Sequence, residues 1–256
     1  MSSISIAPET PNGTKPFISS QLPKFQSTQD ALEICQASFE TRRLQILDGA
    51  LVAGAVLRLC NTASDMETFK RTASYLGGII VADALNNTTS ARLRRSVTTP
   101  NQRFLTVETL IQDDMAFVII PRAGLAFREG IDAHVPNAHQ YFLDMKRDEL
   151  THDPLMIADK MPKSLKGKEV FVCDPMLATG GSAEVTVETA FERGARYVHM
   201  LAMIPAPQGT ARLLEAFPEN FDITTTQLHW GVNDNAYIVP GLGDAGDRFF
   251  GAYEKE

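Results

Sequence analysis

Residues 169–183, EVFVCDPMLATGGSA, decide how this chain is read. The apolar run over residues 170–173 has the length and composition of a buried strand, and it stops at Asp174 and Pro175. Small residues and two glycines follow over residues 178–182. An amphipathic pattern then opens at Ala183 and carries Val185, Thr186, Thr189, Ala190 and Arg193 as far as Gly194. The order predicts strand, tight loop, helix. Such a junction gathers backbone N–H groups at the positive end of a helix dipole, and its glycines let a ligand come close. Thr179 and Ser182 add hydroxyl donors. The chemistry that suits it is a phosphate. A plain βα turn with a serine N-cap would use the same residues. Against that reading, Asp174 stands at the strand end, where open α/β sheets bind their ligands, and Pro175 stiffens the start of the loop. The loop is neither GxxxxGK[ST] nor GxGxxG, so it is not a nucleotide-triphosphatase or dinucleotide motif.

On either side of this stretch the chain alternates. Before it, residues 116–120 and 140–145 predict strands, with a short helical turn over residues 124–131. After it, residues 197–204 and 222–228 predict strands separated by a helix over residues 208–217. The fold class is therefore α/β, a mostly parallel twisted sheet flanked by helices. Upstream, a helical pattern with Leu32, Cys35 and Phe39 starts at Ser27 or Thr28 and runs to a stop near Asp48 and Gly49. Residues 51–60 are apolar and fit a helix or a buried strand. A second helix starts at Ser64 or Asp65, carries Met66, Phe69, Ala73, Leu76 and Ile80 on one face, and reaches Leu85. Residues 86–104, polar and basic with Arg92, Arg94, Arg95 and Arg103, read as a solvated loop or hairpin before a phosphate patch. Residues 1–26 mix Ser, Pro, Thr, Asn and Gly without a period and read as a flexible arm ahead of a single domain over residues 27–256.

Two further strand ends carry the same kind of chemistry. Residues 119–125 end a strand on Arg122 and Gly124, a guanidinium and a glycine suited to a second anion. Residues 145–149 place Lys146 and Arg147 before Asp148 and Glu149 at the end of the next strand. Either alone is an ordinary surface charge. Parallel strands, however, put all three ends on one edge of the sheet. The last cluster, YIVPGLGDAGDRFFG over residues 237–251, is too rich in Gly, Pro and Asp for a good helix or strand. It reads as a structured loop whose backbone groups suit the edge of a flat heterocycle. Its spacing is not that of an EF-hand.

The bulk properties narrow the classes. The chain has 256 residues, 44% hydrophobic and 21% charged, the composition of an ordinary globular protein. A net charge of −7 argues against nonspecific nucleic-acid binding. Three cysteines without a CxxC spacing fit a reducing compartment, five scattered histidines form no metal motif, and no apolar run is long enough for a membrane span. A cytoplasmic location is expected.

With these motifs in place, the chain resembles the uracil phosphoribosyltransferase family. The resemblance rests on residues 172–182, 121–125 and 237–251 in that family's order and spacing, and covers about three quarters of the chain, from Leu57 and Arg58 onward. It implies transfer of ribose 5-phosphate from phosphoribosyl pyrophosphate (PRPP) to N1 of uracil, with Mg²⁺ bound to PRPP and UMP and pyrophosphate as products. It implies that PRPP meets Arg122, Arg147, Asp174, Pro175, Met176, Leu177, Ala178, Thr179, Gly180, Gly181, Ser182 and Asp244. Of these Arg122, Arg147, Asp174 and Asp244 would be catalytic. Uracil would meet Ile238, Gly243, Asp244 and Ala245, in a C-terminal base-binding loop region. No side chain is implied as a resident metal ligand. The family also implies nucleotide binding, GTP included, and a homodimer or higher homo-oligomer. Two departures stand out: Pro121 where an aliphatic residue is usual, and an arm over residues 146–163 without its usual aromatics. They open a second reading, a paralogue with little catalysis that binds PRPP or nucleotides in a regulatory or assembly role.

Overall fold

The computed structural model describes residues 28–88, 92–147 and 154–252, and the side chains of Lys146, Arg147 and Pro154 lie outside it. The expected arm over residues 1–26 also falls outside the described residues. The chain opens with α1 (Thr28–Glu40), β1 (Leu44–Ile46), α2 (Ala50–Cys60) and α3 (Met66–Asn87). There follow β2 (Arg92–Thr98), β3 (Phe104–Leu110), β4 (Met115–Ile119), α4 (Arg128–His134), β5 (His139–Arg147) and β6 (Pro154–Asp159). Next come β7 (Glu169–Cys173), β8 (Met176–Leu177), α5 (Gly181–Glu192), β9 (Tyr197–Leu201) and β10 (Ile204–Pro205). The remainder is α6 (Pro207–Ala216), β11 (Phe221–Thr225), β12 (Gly231–Val232), β13 (Ile238–Val239) and α7 (Ala245–Phe250).

The central sheet has seven strands in the order β1-β11-β9-β7-β4-β5-β6. Every neighbouring pair is parallel except β5–β6, which is antiparallel. Strands β4 and β7 are buried at every residue, which is why they read as continuous apolar runs. The pleat sorts their side chains between two cores. Met115, Phe117, Ile119, Phe171 and Cys173 pack with α2, α3 and α4, while Ala116, Val118, Val170 and Val172 pack with α1, α5 and α6. Helix α3 starts where its cap chemistry places it, with Asp65 Oδ1 accepting the N–H of Thr68 at 2.8 Å. Its buried face carries Phe69, Leu76 and Ile80.

Two expectations change, at the first helix and at residues 237–251, and two that were open resolve. The first helix ends at Glu40: Thr41 bonds back to Ala37 and Ser38, Arg42 takes a φ of 61°, and Leu44–Ile46 joins the sheet edge. Residues 51–60 resolve as helix, α2. The basic stretch resolves as a hairpin in which Arg92↔Leu110 and Thr98↔Phe104 bound the antiparallel register. Its arginines therefore stand on an exposed ribbon. Finally, residues 237–251 are more regular than a loop, because β13 pairs with β12 and Asp244 caps α7.

Candidate active site

The parallel register brings the carboxyl ends of β4, β5 and β7 to one edge, as their sequence implied. A cleft of about 400 Å³ opens there. Arg122, Met145, Asp174, Ser182, Ile238, Gly243, Asp244 and Ala245 are among the residues that line it. Three segments far apart in sequence thus meet around one space.

The phosphate-suited loop follows β7. Gly180 adopts a φ of 82° and stands as the N-cap of α5, whose first turn has no side-chain cap from it. Asp174 and residues 176–183 enclose a smaller hollow of about 40 Å³ beside the cleft. Asp174 Oδ1 accepts the N–H of Met176 at 3.2 Å, which turns the carboxylate along the loop. β8 and β10 pair in parallel beyond the ends of β7 and β9 and so carry the loop out from the sheet. Helix α6 backs it: Gly209 lies so close that an added Cβ would come within 2.4 Å of the Ala178 carbonyl oxygen. Arg212 ties the same helix to Glu184 of α5, Nε to Oε2 at 2.6 Å.

Arg122 follows β4, and the Pro121–Arg122 peptide bond is cis. Its Nη2 donates to Asp247 Oδ1 at 2.7 Å, with both side chains about a third exposed, 34% and 38%. Asp247 belongs to α7, whose N-cap Asp244 accepts the Asp247 N–H at 2.8 Å. The arginine and the C-terminal region are therefore one construction. Arg248 holds that region from the other side, donating from Nη1 to Leu242 O at 2.8 Å and from Nη2 to Asn61 O at 2.8 Å, with its guanidinium 4.3 Å from the Phe69 ring centroid. Neither Asp247 nor Arg248 was given a role from sequence. Their signals were positions inside the Gly-rich run, while the partners that tie that run to the rest of the fold, Arg122 and Asn61, lie more than a hundred residues away.

Of the residues named from sequence, Arg122, Asp174, Met176, Ala178, Ser182, Ile238, Gly243, Asp244 and Ala245 line the cleft. Leu177, Thr179, Gly180 and Gly181 line the smaller hollow. Pro175 is buried beneath the loop, and its carbonyl accepts from Met203 and Ile204. Arg147 is the last residue of β5, two positions after Met145 of the cleft wall. Beyond it the arm returns as β6, which the sequence did not disclose. Asp159 at its end pairs with Arg193, Nη1 to Oδ1 at 3.1 Å, and anchors the arm to the end of α5.

Burial pushes the Cys173 thiol upward, so it stays a protonated core side chain. No group of three or more His, Cys, Asp and Glu side chains that could hold a metal occurs among the described residues. Nor is any helix among them long and apolar enough to cross a membrane.

A glycine-containing loop before a helix, a guanidinium and a backbone-rich loop stand around one cleft at the carboxyl edge of a mostly parallel sheet, an arrangement of the phosphoribosyltransferase type of α/β protein. A sequence model of uracil phosphoribosyltransferase matches residues 47–252. Uracil phosphoribosyltransferase of Beutenbergia cavernae is 36% identical over 211 residues, covering 82% of this chain and 99% of that protein. That of Kineococcus radiotolerans is 38% identical over 211 residues, with coverage of 82% and 99%. The solved AQ2163 protein from Aquifex aeolicus superposes with a TM-score of 0.75 at 33% identity, covering 82% of this chain and 98% of that one. The chain belongs to the uracil phosphoribosyltransferase family.

Proposed function

We propose that the protein transfers ribose 5-phosphate from PRPP to N1 of uracil, yielding UMP and pyrophosphate. The observation that carries this reading is the single cleft shared by Asp174, Ser182, Arg122, Ile238 and Asp244. In it, residues 178–182 hold the 5-phosphate on backbone N–H groups, and Asp174 accepts from the ribose hydroxyls. Arg122, aimed by Asp247, faces pyrophosphate, and Arg147 reaches PRPP from the arm. The backbone of Ile238 and of residues 243–245 reads uracil. Asp244 faces both substrates.

The C1′–O bond to pyrophosphate breaks with its electron pair leaving on oxygen, the N1–C1′ bond forms, and the N1 proton is lost. Positive charge builds on the ribose ring, so positioning and neutralisation of the departing pyrophosphate supply the catalysis. The buried thiol of Cys173 offers no nucleophile, and no covalent intermediate is invoked. Mg²⁺ fits this site as an ion carried by the substrate. Such an ion needs only one or two carboxylates beside phosphate oxygens and water, and Asp174 and Asp244 line the cleft. When bound, it neutralises pyrophosphate charge. The same reading takes residues 27–256 as one domain and includes a cytoplasmic location, a homo-oligomer and GTP binding.

Incubation with PRPP, Mg²⁺ and radiolabelled uracil tests it. UMP formed by the wild type and abolished by Arg122→Ala supports the assignment. PRPP binding in calorimetry without UMP formation sinks it and favours the regulatory paralogue.

A further inference from the structure

We infer that His229 is a positioning residue for the base loop, its Nδ1 accepting the backbone N–H of Gly241 and fixing the turn between Ile238 and Gly243. The inference rests on the uracil-binding reading above. Its geometry stands on three observations. Nδ1 lies 2.9 Å from Gly241 N, and the bond is buried. Gly241 has a φ of 61°, and an added Cβ would sit 2.0 Å from the Ile238 carbonyl oxygen, so the chain folds back on itself at this residue. His229 is itself held, because its N–H donates to Pro205 O at 3.0 Å and the next N–H, of Trp230, donates to Val239 O at 2.8 Å. The imidazole therefore joins the end of β10 to the turn just after β13.

A turn this tight directs the Gly241 N–H inward, where a buried donor needs an acceptor. A neutral imidazole supplies one lone pair, and an imidazolium supplies none. His229 is 2% exposed, and burial pushes its pKa down to about 4, so the lone pair persists at neutral pH. The ring is absent from the cleft wall, so it acts on uracil only through the backbone it holds. Backbone contacts are sensitive to such support, since their placement is that of the turn itself.

Three substitutions test this. Asparagine carries an acceptor oxygen as many bonds from Cβ as Nδ1, glutamine carries it one bond further, and leucine carries none. His229→Leu is expected to raise KM for uracil about tenfold, as expected when a buried donor loses its partner. KM for PRPP should stay within about threefold, because the phosphate loop is built on α5 and α6. His229→Asn should keep KM for uracil within about threefold of wild type, and His229→Gln should resemble leucine. Should the leucine variant not fold, the comparison decides: asparagine at least about fivefold better than glutamine supports the role. Equal uracil KM values across variants of an active wild type overturn the inference and leave the proposed function standing. A wild type that makes no UMP removes the function and the inference with it.

Discussion

Arg122 is directed in part by the carboxylate of Asp247. A long guanidinium side chain has several rotamers, and the Asp247 contact at 2.7 Å selects the one that faces the cleft. Because both groups are about a third exposed, at 34% and 38%, the pair contributes at most about 1 kcal/mol to folding. Its value lies in aim. Asp247→Asn is therefore expected to lower kcat/KM for PRPP about tenfold, with a thermal midpoint within a few degrees of wild type. Steady-state kinetics beside calorimetry checks both halves, and an unchanged kcat/KM would show that Arg122 is aimed by something else. At this scale the sequence disclosed groups that can meet a ligand directly, such as Arg122, Asp174 and Asp244. It did not disclose Asp247, Arg248 or His229, which act through another protein group brought near only by folding. A lone histidine at position 229 has no local signature that separates an anchor from a core residue.

The loop between β7 and α5 shows the same division between elements. Its own residues predicted strand, loop and helix, and β7 and α5 occupy those places. The support of α6 was invisible, since it depends on Gly209 meeting Ala178 and Gly180 across the molecule. An added Cβ at Gly209 would meet backbone, which cannot swing aside as a side chain can. Gly209→Ala should therefore displace the loop and raise KM for PRPP by about tenfold or more, with a smaller effect on KM for uracil. Kinetics with each substrate varied in turn measures this, and equal changes in both constants would mean general destabilisation. Gly180→Val belongs with it, because its φ of 82° disfavours any branched side chain. PRPP affinity should fall more than fold stability, and calorimetry of a folded variant with unaltered affinity would remove the phosphate assignment.

Elsewhere, legibility followed burial. Strands β4 and β7, apolar throughout, were readable, whereas β2 is exposed at every residue and β3 at most, so neither shows an inside-outside pattern. β1 has only three residues, and β6 owes its place to pairing with β5. Helix α7 forms despite its glycine because Asp244 caps it and Arg248 binds it to the end of α2.

Across the whole molecule the sheet separates two polar regions. At the carboxyl edge is the cleft; further back along the strands is a buried charged cluster of Glu169, at the start of β7, with His199 and Asp222 in register with Phe171 at its middle. His199 Nδ1 is 2.9 Å from Asp222 Oδ1, and Nε2 faces Glu169 at 3.6 Å, too long for a hydrogen bond but close for ionic attraction. Burial alone would lower the His199 pKa. The bond to Asp222 and the two negative charges outweigh it and raise the pKa from 6.5 to about 9. A group raised on folding contributes its full stability below its unfolded pKa, and that contribution is lost as pH climbs through the folded one. For His199 the window runs from 6.5 to about 9. His229 works in the opposite direction. Its pKa falls from 6.5 to about 4, so its part of the stability is complete above 6.5 and fades as pH falls toward 4. The two histidines thus bound stability on opposite sides of neutrality. His199→Gln should lower the thermal midpoint at pH 6.5, because Glu169 and Asp222 both lose the cation between them, and Arg196, 3.8 Å from Glu169, does not replace it at Asp222. It should also flatten the decline between pH 6.5 and 9 while leaving the acid decline in place. Calorimetric midpoints across that range decide it, and wild-type and variant curves that run parallel above pH 6.5 would show that His199 is not the group that titrates.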